Sequence, residues 1–126
     1  MCIFVLCLIF KSNLVMRLIP SKTLVRHAED SNMPAPCGSW LNYWSETLGV
    51  EFPQSGYVKC DCCKKYHLIT DFVGAHVVNT MDGETYIYPT CKHCNDTYKN
   101  SKATEGLFFA LIDLLCPIPQ NNQSCQ

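Results

Sequence analysis

The chain has 126 residues, enough for one domain with appendages, and sets ten lysines and arginines against eleven carboxylates. A net charge of -1 and a pI of 6.4 exclude a global basic field for nucleic acid, so any such contact has to come from a local patch. Of the ten cysteines, Cys2, Cys7, Cys37, Cys62, Cys116 and Cys125 are scattered and the other four form two spaced pairs. That distribution points to a reducing, cytoplasmic compartment and away from a secreted disulfide scaffold.

Residues 1–10, MCIFVLCLIF, form an apolar run too short to cross roughly 30 Å of hydrocarbon as a helix. The run has the length of a signal-peptide core, yet no basic residue precedes it and no small-residue cleavage site follows. The reading preferred here is a start placed too early, with Met16 or Met33 beginning the functional protein; a membrane role is disfavoured. Residues 20–37, with Pro20, Pro34 and Pro36 around VRHAEDSN, read as linker, and His27 within them as an exposed loop histidine. The domain boundaries expected are therefore an N-terminal segment over 1–37, a zinc domain over 38–116 and a disordered tail over 117–126.

Ser39 is a helix N-cap for WLNYWSETL, and Gly49 stands where a left-handed C-cap would close it. Trp40, Trp44 and Leu48 recur every four residues, which makes one apolar stripe expected to pack over the middle of the chain. FVGAHVVN has strand composition, Asp82-Gly83 is a hairpin signal, and TYIYPT reads as the returning strand with Pro89 near its end. Residues 103–116, ATEGLFFALIDLLC, read as a C-terminal apolar helix through Leu107, Ala110, Leu111, Leu114 and Leu115, and as a surface for a partner protein or a second copy.

CDCC at 60–63 and CKHCN at 91–95 bracket the predicted hairpin. Two C-x-x-C turns separated by a hairpin are what a tetrahedral zinc site asks of a sequence, because each turn aims two thiolates at one point about 2.3 Å from each sulfur. Cys60, Cys63, Cys91 and Cys94 are the expected ligands of a structural Zn²⁺. Cys62, in a slipped register, and His67, four residues past Cys63, compete for a place; His67 reads more simply as an exposed connecting residue. A small apolar core of this kind commonly needs a metal to stay folded.

Knuckle, strand bearing a histidine, hairpin return and a second cysteine pair opening a helix form the order of the treble-clef fold. The run CDCC, GAH at Gly74 to His76 and PTCKHCN ending at Asn95 resembles the zinc-bearing branch of the HNH, or His-Me finger, endonucleases. WLNYWSETL before VGAHV and YIYPTCKHCN is also similar to small phage and bacterial proteins with a W-L-x-x-W helix ahead of a GAHV segment. The resemblance spans roughly 65 of the 126 residues. It implies a small α+β treble-clef domain flanked by the tryptophan helix and the C-terminal helix. For an active nuclease it implies His76 as general base and Asn95 beside a catalytic Mg²⁺ or Mn²⁺. Ala75 stands where the family has an Asp, however, and Asn95 alone is a weak, neutral ligand for a hard cation, with Asp82 or Asp96 as possible substitutes.

His76 thus has three readings: general base, a residue hydrogen-bonded near the sulfurs, or a packed strand histidine. The favoured function is a non-catalytic zinc module associated with DNA or RNA, or with protein, needing no small-molecule cofactor. Over residues 57–102 six lysines meet five carboxylates, so phosphate contacts have to use lysines gathered on one face. Lys92, Lys99 and Lys102 with Tyr98 on the second-knuckle helix are the candidate face. A nuclease using His76 and a small oligomerising protein are the alternatives.

Overall fold

The computed structural model describes residues 21–29, 33–99 and 105–119. The segment around Asp82-Gly83 folds back as expected: β4 (Phe72–Asn79) and β5 (Thr85–Cys91) form an antiparallel hairpin, with Phe72 opposite Cys91 and Val78 opposite Thr85. Its turn is longer than a two-residue loop. The Gly83 N–H donates to the Asn79 carbonyl at 2.7 Å, the Asn79 N–H donates to the Glu84 carbonyl at 3.0 Å, and Gly83 takes a φ of 74° that suits glycine.

The reading of residues 20–37 as linker is corrected in part. Lys22–His27 is a strand, β1, paired antiparallel with β4 on one side and with β6 (Phe108–Leu111) on the other. Thr23, Val25 and His27 point inward and Lys22 and Arg26 outward, an alternation of period two that the flanking charges and prolines obscure in the sequence.

The expected C-terminal helix is also corrected. Among the described residues that stretch is β6, a 3-10 turn at Ile112–Leu114 and a short strand, β7 (Cys116–Pro117). Periodicity alone does not separate a short apolar run that is a strand from one that is a helix. Here Phe108 and Ala110 are buried while Phe109 between them is exposed, so the period is two. The helical interface proposed for a partner or a second copy over 103–116 goes with it.

The strand order is β6-β1-β4-β5-β7, yet β6 and β7, at opposite edges, are joined by residues 112–115 alone. In a flat sheet the outer strands would lie about 19 Å apart. A short link through a 3-10 turn rising about 2 Å per residue does not reach that far, so the sheet curls. One core fills the curl, from Val25, Ala75, Val77, Tyr88, Phe108, Ala110 and Leu115.

The opposite face carries α1 (Trp40–Leu48), capped as expected. The Ser39 Oγ accepts the Asn42 N–H at 3.0 Å, and Gly49 closes the helix at φ 66°. Tyr43 and Trp44 bury against Ile87 and Cys116. Trp44 Nε1 donates to the Leu114 carbonyl at 2.7 Å and the Tyr43 hydroxyl donates to the Pro117 carbonyl at 2.7 Å, so the helix holds the β6–β7 link as well as the hairpin. Gly74 permits this approach, since a Cβ there would stand 2.6 Å from the Trp40 carbonyl carbon and 2.7 Å from the Leu41 nitrogen.

No helix among the described residues is long and apolar enough to cross a membrane. The apolar run over 1–10, the candidate start Met16, Lys102 and the tail from 120 onward lie outside the described residues, whereas the candidate start Met33 lies within them, after β1.

Candidate metal centre

The first cysteine pair sits in the turn between β2 (Tyr57–Lys59) and β3 (Tyr66–Leu68), which pair antiparallel from Tyr57 opposite Leu68 to Lys59 opposite Tyr66. The Cys60 N–H donates to the Lys65 carbonyl at 2.9 Å and the Lys64 N–H donates back to the Cys60 carbonyl at 2.7 Å. Lys64 takes a left-handed φ of 67° to complete the turn, and Cys60 and Cys63 come to one side. The second pair is placed by the change from strand to helix. Cys91 ends β5 and caps α2 (Lys92–Tyr98), its Sγ accepting the Cys94 N–H at 3.4 Å.

The two turns meet. The Cys91 N–H donates to the Cys60 Sγ at 3.3 Å, the Cys63 and Cys91 sulfurs lie 4.0 Å apart, and all four Sγ atoms fall within 4.8 Å of one another. A tetrahedron of zinc–thiolate bonds has sulfurs about 3.8 Å apart, so the cluster is compatible with a structural metal ion such as zinc after small adjustments. Cys60, Cys91 and Cys94 are buried around Phe72, with Phe52 and Leu41 packed behind. Burial pushes the Cys60 and Cys94 thiols above their ordinary range. At Cys63 burial acts the same way, but hydrogen bonds from His67 and the Lys65 backbone outweigh it and leave the thiol at about 7. A dication would offset the burial penalty by stabilising all four thiolates.

Neither competitor belongs to the group of four, although Cys62 also hydrogen-bonds the Cys94 thiol. Cys62 lies outside the group of four; its Sγ stands 3.5 Å from His27 Nε2, and its thiol donates to the Gly106 carbonyl at 3.8 Å. His67 is not the exposed residue expected. It is half-buried, its Nε2 3.3 Å from the Cys63 Sγ and its ring edge-on to Phe72, placed to orient the Cys63 sulfur from outside the group of four.

His27, expected in solvent, is 1% exposed, between Tyr98 and Phe108 on the concave side of the sheet. Burial lowers its imidazole to about 4 and raises the Cys62 thiol to about 11, so the pair is neutral near pH 7. The sequence signal for His27 was the alternation Thr23, Val25, His27. Cys37 is disulfide-bonded, which the expectation of a reducing compartment did not include.

His76 faces α1 from β4, 4% exposed, with the Trp40 ring edge-on at 4.8 Å. Ala75 points the other way, into the core of the curl. Asn95 borders a cleft of about 440 Å³ with Ser39, Trp40, Leu41, Phe72 and Gly74; its Oδ1 is buried with no hydrogen-bond partner among the described residues. Among the described residues His76 is not in the cleft lining, and neither is a carboxylate. Asp82 is engaged at the hairpin turn by Glu84 N–H and the Tyr86 hydroxyl, and Asp96 is exposed on α2.

On the helix face expected to meet phosphate, Lys92 is exposed, but Tyr98 is half-buried against His27 and Gly106, so its ring is not presented for stacking. Two features escaped the sequence reading. Tyr88 reaches Asp61 inside the first cysteine turn, and the aromatic residues of β2 and β3 stand outside the core. Compared with known proteins, the chain matches no family model, no curated protein and no solved structure.

Proposed function

We propose that the chain is a treble-clef zinc protein whose metal is structural, held by Cys60, Cys63, Cys91 and Cys94, and that the domain is a non-catalytic module associated with nucleic acid. The observation that carries the reading is the convergence of four sulfurs from two turns thirty-odd residues apart in sequence to within 4.8 Å of one another. Four thiolates complete a tetrahedron and leave no position for a substrate water, the mark of a structural site. The order of turn, hairpin and helix supports the treble clef. The burial of His76 beneath Trp40, and a cleft lining without carboxylates among the described residues, support a packed role for that histidine.

Metal analysis of purified protein is expected to return one zinc per chain, with chelation or Cys91→Ser abolishing the cooperative unfolding transition and added zinc restoring it only in the unmutated chain. Protein that stays folded and metal-free after chelation would overturn the reading.

One observation favours the nuclease alternative: the unsatisfied Asn95 Oδ1 at the cleft is an oxygen donor one step beyond the second cysteine pair. The surrounding donor set does not otherwise suit Mg²⁺ or Mn²⁺, which want several hard oxygens. Plasmid nicking by the wild-type chain that His76→Ala and Asn95→Ala abolish would establish that alternative in place of the non-catalytic one.

A further inference from the structure

The register of β2 and β3 sorts their side chains onto two faces. Val58 and His67 turn toward the metal centre, while Tyr57, Lys59, Tyr66 and Leu68 share the outer face. On that face Tyr57 is 67%, Tyr66 69% and Leu68 44% exposed. Among the described residues the other large aromatics are buried or half-buried, with Phe109 on β6 the exception, so two exposed tyrosines side by side are not a shortage of core. Tyr57 and Tyr66 are diagonal neighbours across the strand pair, a relationship that places side chains roughly 7–8 Å apart.

Charge completes the patch. Lys59 lies opposite Tyr66, and Lys64 and Lys65, both exposed, follow in the turn. None of the four outward positions of the strand pair is a carboxylate, and the one acid of the turn, Asp61, is directed inward to the Tyr88 hydroxyl; Glu51 is the other described carboxylate that shares a cleft with Lys59. Two accessible π-faces flanked by three cations make a platform on which unpaired bases stack while phosphates meet ammonium groups. Duplex bases are already stacked on each other and offer no face to the tyrosines. An acidic peptide would satisfy the lysines but leave the rings without flat partners.

We infer that the outer face of the β2–β3 strand pair, built from Tyr57, Tyr66, Lys59 and Lys65, is a binding site for single-stranded nucleic acid. The inference rests on the proposed nucleic-acid association and names its place and substrate class. It also moves the contact away from Lys92, Lys99 and Tyr98. A two-stranded ribbon is marginal by itself, so its rigidity comes from the cysteine clasp at its tip.

The test is fluorescence anisotropy of zinc-loaded full-length protein with labelled oligo-dT and oligo-U of about a dozen nucleotides, within the usual site size for such platforms. Tyr57→Ala and Tyr66→Ala are each expected to weaken binding about tenfold, while Tyr57→Phe and Tyr66→Phe retain it. Lys59→Gln with Lys65→Gln is expected to reduce the slope of log affinity against log salt by about 1.4. Lys92→Gln is expected to bind like the wild type, and zinc content and circular dichroism confirm that each variant is folded. If the wild-type chain binds neither single strands nor duplex, both the inference and the wider association fall. If it binds but the tyrosine variants bind equally well, or a duplex or poly-glutamate competes as strongly as the single strand, the site assignment falls by itself.

Discussion

The Tyr88 hydroxyl donates to Asp61 Oδ2 at 2.7 Å and accepts the Leu111 N–H at 3.0 Å, so one phenol on β5 ties the first cysteine turn to the edge strand β6. Burial first, and then the neighbouring carboxylate, hold that phenol protonated well above its ordinary range, which keeps it a donor at every working pH. Tyr88→Phe removes both bonds and strands a backbone N–H beside the core. The expected loss is about 1–3 kcal/mol in urea unfolding of the zinc-saturated protein. Asp61→Asn keeps an acceptor for the phenol and is expected to lose less. An unchanged midpoint for Tyr88→Phe would show that the tie contributes nothing.

His67 stands beside Cys63 without belonging to the group of four, and a donor in that position steadies a thiolate. With zinc as the proposed metal, His67→Ala is expected to lower its affinity about 10–100-fold, read by competition with a chromogenic chelator, while leaving the fold intact at saturating zinc. Cys62→Ser is expected to leave the affinity at the wild-type value, because the Cys62 sulfur lies outside the group of four and a serine hydroxyl can keep its contacts with His27 and the Cys94 thiol. The reverse ranking would mean that Cys62 is a ligand.

Gly74 lets α1 rest directly on β4. A methyl group there meets backbone atoms of Trp40 and Leu41 and not the far end of a flexible side chain, so the helix has to move as a body. Gly74→Ala is expected to cost about 1–3 kcal/mol and to alter the near-ultraviolet signal of the tryptophans. A variant with wild-type stability and spectrum would place the helix further from the strand.

The buried imidazole of His27 makes stability depend on pH. Its folded value of about 4 lies below the ordinary 6.5, so between those limits the unfolded chain takes up a proton that the folded chain refuses. Stability is then full above pH 6.5 and falls as the pH drops toward 4, by up to about 3 kcal/mol. The wild-type chain is expected to show this decline more steeply than His27→Gln at saturating zinc. Parallel pH profiles for the two would remove His27 as the cause.

Local chemistry accounts for what could be read directly from the amino-acid sequence. Ser39 and Gly49 bound a helix through hydrogen bonds and a backbone conformation that involve only near neighbours. Asp82 and Gly83 turn a hairpin for the same reason, and each C-x-x-C turn aims its own two sulfurs. The four-cysteine cluster was therefore legible, since two such turns on either side of one hairpin have little choice but to meet.

The strands β1 and β6 were not legible, because they are strands only by virtue of partners fifty or more residues away in the chain. Residues 107–116 are apolar at every position but Asp113, so no period chooses between helix and strand, and the choice was made by the open edge of β1 and by the short link that closes the sheet. His27 entered the core with its strand, and Tyr98 was covered by Gly106. Tyr57 and Tyr66 were left outside because the register of a three-residue strand pair put them on its outer face. Spacing and caps by themselves determined where the chain turns and which sulfurs gather; burial, which depends on contacts across the whole chain, decided which histidines and aromatic rings face water.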